Sequence, residues 1–224
     1  MTLSIVARLP DASMFGVAIA SSSPAVAARC AHARRAAGAV ATQNITDPSL
    51  GPRILDELGA GVEASAALDS AVRATPFGAY RQLIVVGRGG MPAVHSGAKA
   101  LGLVGAALGA NAAAAGNLLA RADVPAAMLA AFEAAAGPFG GRLLCALQAG
   151  VDAGGEAGPI HSAGLLIVRE VSWPVVDLRV DWADDGPVAE LLSLWKRYEP
   201  QVEDYVRRAL DPAAAPGFGV PGEH

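Results

Sequence analysis

The sequence predicts an α+β protein built as a four-layer αββα sandwich, two antiparallel sheets stacked between helical layers. Two observations carry this expectation. The helical segments arrive in pairs, separated by groups of short strands that can pair antiparallel. A doubly wound parallel fold needs single helices alternating with single strands. In addition, 53% of the 224 residues are hydrophobic and only 17% are charged, enough apolar material to bury the faces of several layers. A single domain is expected over residues 1–211, because no linker of charged or Pro/Ser-rich composition divides it. A Pro/Gly/Ala-rich tail over 212–224 follows it.

Taken in order, residues 2–8 (TLSIVAR) read as a strand that ends in the turn cluster Pro10-Asp11-Ala12. Residues 15–20 (FGVAIA) form its partner, making a hairpin. Ser21-Ser22-Ser23-Pro24 breaks this strand, and a short helix is expected through Ala33. A third strand over 38–43 ends in the polar group Gln43-Asn44-Ile45-Thr46. Two helices follow, Pro48 to Leu58 and Val62 to Ala74, with Ala67, Leu68, Ala71 and Val72 marking a buried face in the second.

Residues 80–87 (YRQLIVVG) and 92–95 read as a second hairpin, turned at Gly87–Gly90. Residues 103–116 are rich in glycine and alanine and are expected to be extended, since Gly105 and Gly109 weaken a helix. Two more helices are expected near 125–135 and 139–151. A central strand follows at 161–169, then an alternating strand at 175–181 with Val176, Leu178 and Val180 on one face. The last helix starts near Pro187 and continues beyond Pro200, with an apolar stripe through Leu191, Trp195 and Tyr198.

Composition narrows the function classes. A net charge of -4 gives no electrostatic footprint for nucleic acid. No apolar run reaches membrane-spanning length, and the start lacks the n- and h-regions of a signal peptide, so a cytoplasmic protein is expected. Cys30 and Cys145 are read as buried free thiols. The histidines lack partners at metal-ligand spacing, and the glycine-rich stretches match neither a P-loop nor a dinucleotide fingerprint. Neither a metal nor a cofactor is expected.

The residues that point to chemistry begin at the N-terminus. Removal of Met1 would make Thr2 a chain-terminal nucleophile with its own α-amine as base. A terminal amine titrates near about 7.7–8.0, so a useful fraction is neutral at physiological pH. Ser4 shares the strand face of Thr2, and Ser21 ends the partner strand. Gln43 and Asn117 are candidate oxyanion donors, with a turn at Asn44–Thr46 and helix capping by Asn117 as the competing accounts. Gly116 is read as a position where a ligand approaches the backbone. Arg29, Arg81, Asp177 and Arg179 are expected within the fold, as binders of a substrate carboxylate or as structural ion pairs. A His161–Ser162 dyad is excluded, because adjacent strand residues face opposite sides.

Six strings occur in order: residues 2–8, Gly16-Val17-Ala18, residues 39–43 (AVATQ), Tyr80-Arg81-Gln82, Gly116-Asn117-Leu118-Leu119 and residues 176–181 (VDLRVD). Together they resemble the DUF1028 family of the Ntn-hydrolase (N-terminal nucleophile) superfamily, over about residues 2–195. The resemblance implies an αββα sandwich. It also implies hydrolysis of a linear amide or related C–N bond in a small molecule, with a non-catalytic ligand-binding or scaffold role as the alternative. Ser22-Ser23-Pro24 and Pro159-Ile160-His161 depart from the family pattern, so a different pocket shape is expected. The aromatic final helix predicts a homo-oligomer.

Overall fold

The computed structural model describes residues 1–219; residues 220–224 of the expected tail lie outside the described residues. The strands β1 (Thr2–Arg8) and β2 (Phe15–Ser21) form the first hairpin, closed by Asp11, whose Oδ1 accepts from the backbone N–H and Oγ of Ser13. Then come α1 (Val26–Cys30), β3 (Ala31–Arg34), β4 (Gly38–Asn44), α2 (Leu50–Gly59) and α3 (Ala64–Arg73). The second hairpin is β5 (Arg81–Gly87) with β6 (Ala93–Ser96), and the glycine/alanine region forms a third, β7 (Gly105–Leu108) with β8 (Ala112–Asn117). The chain ends with α4 (Val124–Ala134), α5 (Phe139–Asp152), β9 (Ser162–Val168), β10 (Val176–Val180), α6 (Pro187–Tyr198) and α7 (Val202–Leu210).

These strands make two antiparallel sheets. One has six strands in the order β10-β9-β2-β1-β8-β7, the other four in the order β3-β4-β5-β6. Strand alternation sorts their side chains into three apolar layers. Leu3, Ile5 and Ala7 point from β1 to the helices α4 and α5, meeting Met128, Leu143 and Leu147. Val6, Phe15, Val17 and Ile19 point the other way and meet Ala39, Ala41, Ile84 and Val86 of the smaller sheet. On the far side Val40, Leu83 and Val85 pack on Ile54, Leu58 and Leu68 of α2 and α3. Three apolar layers between four structural ones give the stacking helix–sheet–sheet–helix.

Several expectations are corrected. Residues 31–34 are a strand, with His32 opposite Val40, and α1 is a single turn and a half. Pairing with β4 overrides alanine's high helix propensity, a weak prior that tertiary context can outweigh. Cys30 is buried, but Cys145 is exposed, because Leu143, Leu144, Ala146 and Leu147 take the inner face of α5. Asp177 and Arg179 are on the surface, their side chains about 40% exposed. They share the face of β9 that looks toward the smaller sheet, but β10 is the sixth strand and the facing sheet has only four. Among the described residues that face of β10 stays largely open, and the pair bonds to itself at 2.8 Å through Arg179 Nε and Nη2.

Trp195, expected on an oligomer surface, closes on its own chain against Gly140, where a Cβ would stand 2.6 Å from the indole. Tyr198 donates to Val175 O and stacks on Tyr205. The described part of the tail folds back, with Pro216 O and Gly217 O accepting from Arg208. No helix among the described residues is long and apolar enough to cross a membrane.

Candidate active site

The layer between the sheets is apolar at one end and polar at the other. Thr2 starts β1 on the face toward the smaller sheet, with 6% of its surface exposed. Its cross-strand neighbour in β8 is Asn117, and directly opposed antiparallel residues share a face with Cβ atoms about 5 Å apart. On the other side Ser21, the last residue of β2, places its hydroxyl 3.4 Å from Thr2 Oγ1. The strands converge on this point because β1 is central in its sheet, flanked by β2 and β8.

Behind Thr2 lies a hydrogen-bonded chain of amides. Ser4 Oγ donates to Gln43 Oε1 (2.7 Å). Gln43 Nε2 donates to Gln82 Oε1 (2.7 Å) and to Ala115 O (3.3 Å). Gln82 Oε1 accepts a second bond from Asn117 Nδ2 (3.1 Å), while Gln82 Nε2 donates to Ser96 Oγ and Gly116 O. Gln82 is therefore the hub that fixes both Gln43 and Asn117. Both amide hydrogens of Gln43 are spent inside this chain, whereas Asn117 keeps one of its two. Asn117 Oδ1 is buried with no partner. Of the two sequence-predicted oxyanion donors, Asn117 alone has a hydrogen to offer.

A pocket of about 370 Å³ opens in front of Thr2, with Ser23, Arg29, Cys30, Asn44 and Thr46 in its wall. Arg29 is half-buried there, its guanidinium held by Pro24 O (2.6 Å), Ala25 O (3.2 Å) and Ser23 Oγ (3.1 Å). Burial raises the Cys30 thiol above its ordinary pKa, so it stays protonated. Asn44 holds a left-handed backbone (φ 69°) and bridges Tyr80 O and the Leu101 N–H, a conformation asparagine tolerates better than most residues.

Arg81 does not line the pocket. It grips the loop after β4 through Ile45 O and Asp47, and so shapes the wall that carries Thr46. Asp177 and Arg179 lie three strands away from β1 and take no part. His161 stacks on Trp182 at 4.3 Å, and Ser162 Oγ donates to Ser23 O, so those two side chains are separately engaged. Gly116 is small for Leu119, not for a ligand: a Cβ there would stand 2.5 Å from Leu119 Cδ2.

Two features escaped sequence reasoning. Gln82 follows Arg81 at the polar start of β5 and stands in the string Tyr80-Arg81-Gln82, but nothing local marks it as the hub of a buried network. Glu156 sits in a loop of glycine, alanine and proline after α5, a composition that carries no chemical signal. It is 5% exposed; its Oε2 accepts the Ser22 N–H (3.1 Å), and its Oε1 has no partner. Burial pushes its carboxyl up to about 7, against the opposing pull of the α-ammonium of Met1. Met1 itself covers the site: its carbonyl oxygen accepts from Thr2 Oγ1 (2.5 Å) and from Ser21 Oγ.

A profile described as "Family of unknown function (DUF1028)" matches residues 2–191. Among solved structures, a Silicibacter pomeroyi protein assigned to the same family aligns with a TM-score of 0.84 at 29% identity, covering 92% of this chain and 94% of its own. Anbu (ancestral beta-subunit) from Yersinia bercovieri aligns over 97% of this chain and 100% of its own at 12% identity, with a TM-score of 0.36 that carries no argument. No curated protein matches. With 190 of its 224 residues inside the family profile and a close structural counterpart within the same group, the chain belongs to DUF1028, a family of unknown function.

Proposed function

We propose that this chain is an N-terminal-nucleophile hydrolase that cleaves a linear amide or related C–N bond in a small molecule, once the bond before Thr2 is broken. The observation that carries the reading is the position of Thr2: a buried hydroxyl at the start of a central strand, at a pocket mouth, opposite an asparagine with a spare amide hydrogen. In this account the free α-amine of Thr2 takes the Oγ1 proton, and Oγ1 attacks the amide carbonyl. The oxyanion meets Asn117 Nδ2, the ammonium returns its proton to the leaving amine, and an ester on Thr2 remains. Water, deprotonated by the same amine, hydrolyses the ester. In this account Arg29, in the pocket wall, receives a substrate carboxylate.

The test is an amide library screened against full-length protein whose first residue is Thr2. Turnover by that protein, absent in its Thr2→Ala variant and in protein retaining Met1, is the expected result. Equal turnover by all three contradicts the reading. A non-catalytic binding role is favoured by one observation, that Met1 O occupies both site hydroxyls; a protein that keeps Met1 and still binds small amides would fit it. Self-association is part of the proposal too, through Leu194, Tyr205 and Leu210 exposed on the last two helices. A monomer by light scattering at micromolar concentration contradicts that part.

A further inference from the structure

The hydroxyls beside Thr2 form a hydrogen-bonded relay that runs in one direction. Arg29 Nη2 donates to Ser23 Oγ at 3.1 Å, and Ser23 Oγ lies 2.9 Å from Ser21 Oγ. Ser21 is buried, and its hydroxyl has one hydrogen, which it gives to Met1 O. Ser23 is therefore the donor in its contact with Ser21. The Ser23 backbone N–H donates to Ser21 Oγ as well, at 3.2 Å. Both lone pairs of the Ser21 oxygen are thus engaged from behind, and its hydrogen points into the site. Thr2 Oγ1, which also gives its hydrogen to Met1 O, stands 3.4 Å from Ser21 Oγ. Two hydroxyls converge on one carbonyl oxygen.

Cleavage before Thr2 removes Met1 O, and the oriented hydrogen of Ser21 loses its acceptor. We infer that Ser21 is a second oxyanion donor, and that the reacting carbonyl oxygen of the substrate takes the place of Met1 O. The inference rests on the Thr2 reading and adds a catalytic residue beside Asn117. As Thr2 Oγ1 bonds to the carbonyl carbon, its proton passes to the α-amine and the π electron pair moves onto the carbonyl oxygen. Ser21 keeps its hydrogen and directs it at that oxygen. Ser23 and Arg29 are positioning residues: the guanidinium charge at the head of the relay polarises each hydroxyl toward the next.

The experiment follows p-nitrophenol release from p-nitrophenyl acetate by full-length protein beginning at Thr2, with Thr2→Ala as the background. Acylation by this ester passes through the same oxyanion, and the probe has no carboxylate for Arg29 to hold. Ser21→Ala should lower the Thr2-dependent kcat by about 10²–10³-fold with KM unchanged. Ser23→Ala and Arg29→Met leave the donor in place but unaimed, and each should lower kcat by about tenfold. An undiminished kcat in any folded variant, or a loss confined to KM, overturns the inference and leaves the Thr2 reading standing. If Ser21→Ala does not fold, the other two variants decide. Release by the parent no faster than by Thr2→Ala overturns the Thr2 reading and the inference together.

Discussion

The two ends of the layer between the sheets are built from the same strands and differ in almost everything else. At one end Val6, Phe15, Val17, Ile84 and Val86 interlock with no polar atom among them. At the other, Ser4 and Gln82, two residues along β1 and β5 from Val6 and Ile84, join Gln43 of β4 and Asn117 of β8, equally buried and bonded to one another. The apolar end holds the sheets together by removing surface from water. The polar end gains little net stability, because each of its bonds replaces one to water. What it provides is a fixed array of amides behind Thr2, with imperfect pairing at Asn117 Oδ1 alone within that array. Cohesion and chemistry are thus separated along the facing strands by a few residues.

That contrast can be broken at either end. The largest loss of stability is expected from Phe15→Ala, which empties a fully buried aromatic site and should cost about 3–5 kcal/mol in denaturant unfolding. Gln82→Leu comes next. It removes the acceptor of Asn117 Nδ2 and one of the two acceptors of Gln43 Nε2, at roughly 1–3 kcal/mol for each unpaired hydrogen. It should also cut turnover of Thr2-first protein far more than Phe15→Ala does in the fraction that remains folded. Equal effects on activity would mean that the polar end is mere filler.

Glu156 supplies a pH-dependent comparison. Its folded pKa of about 7 lies above the ordinary 4.5, so the folded state binds the proton more tightly than the unfolded chain. Stability from this group is therefore fully present below about pH 4.5 and is lost as pH rises toward 7. In protein retaining Met1, Glu156→Gln should flatten the pH dependence of the unfolding midpoint across that window; an unchanged slope contradicts the assignment. The smallest effect is expected at the exposed pair. Asp177→Asn should change stability by less than about 0.5 kcal/mol and leave turnover unaltered.

Much of the frame is legible in the sequence because it rests on periodicity. The hairpin of β1 and β2, the helix pairs α2–α3 and α4–α5, and the shared face of Thr2 and Ser4 all follow from spacing alone. What spacing does not encode is how wide each sheet is. Asp177 and Arg179 alternate cleanly, yet their burial depends on whether a facing strand exists, and among the described residues the smaller sheet has only four strands against six. The same limit hides Gln82, whose importance arises only when β5 is laid against β4 and β8. Glu156 is hidden by its loop, since nothing local shows that residues 154–158 return to the chain start. Residues 31–34 look helical because alanine favours a helix, and only the ladder with β4, a non-local contact, makes them a strand.

The central claim is that Thr2 becomes the first residue and acts through its own amine. Intact-mass and N-terminal peptide measurement on protein isolated from its native cells tests it most directly. The account predicts chains that begin at Thr2, with the hydroxyl and amine both free. Chains that retain Met1 throughout would contradict it.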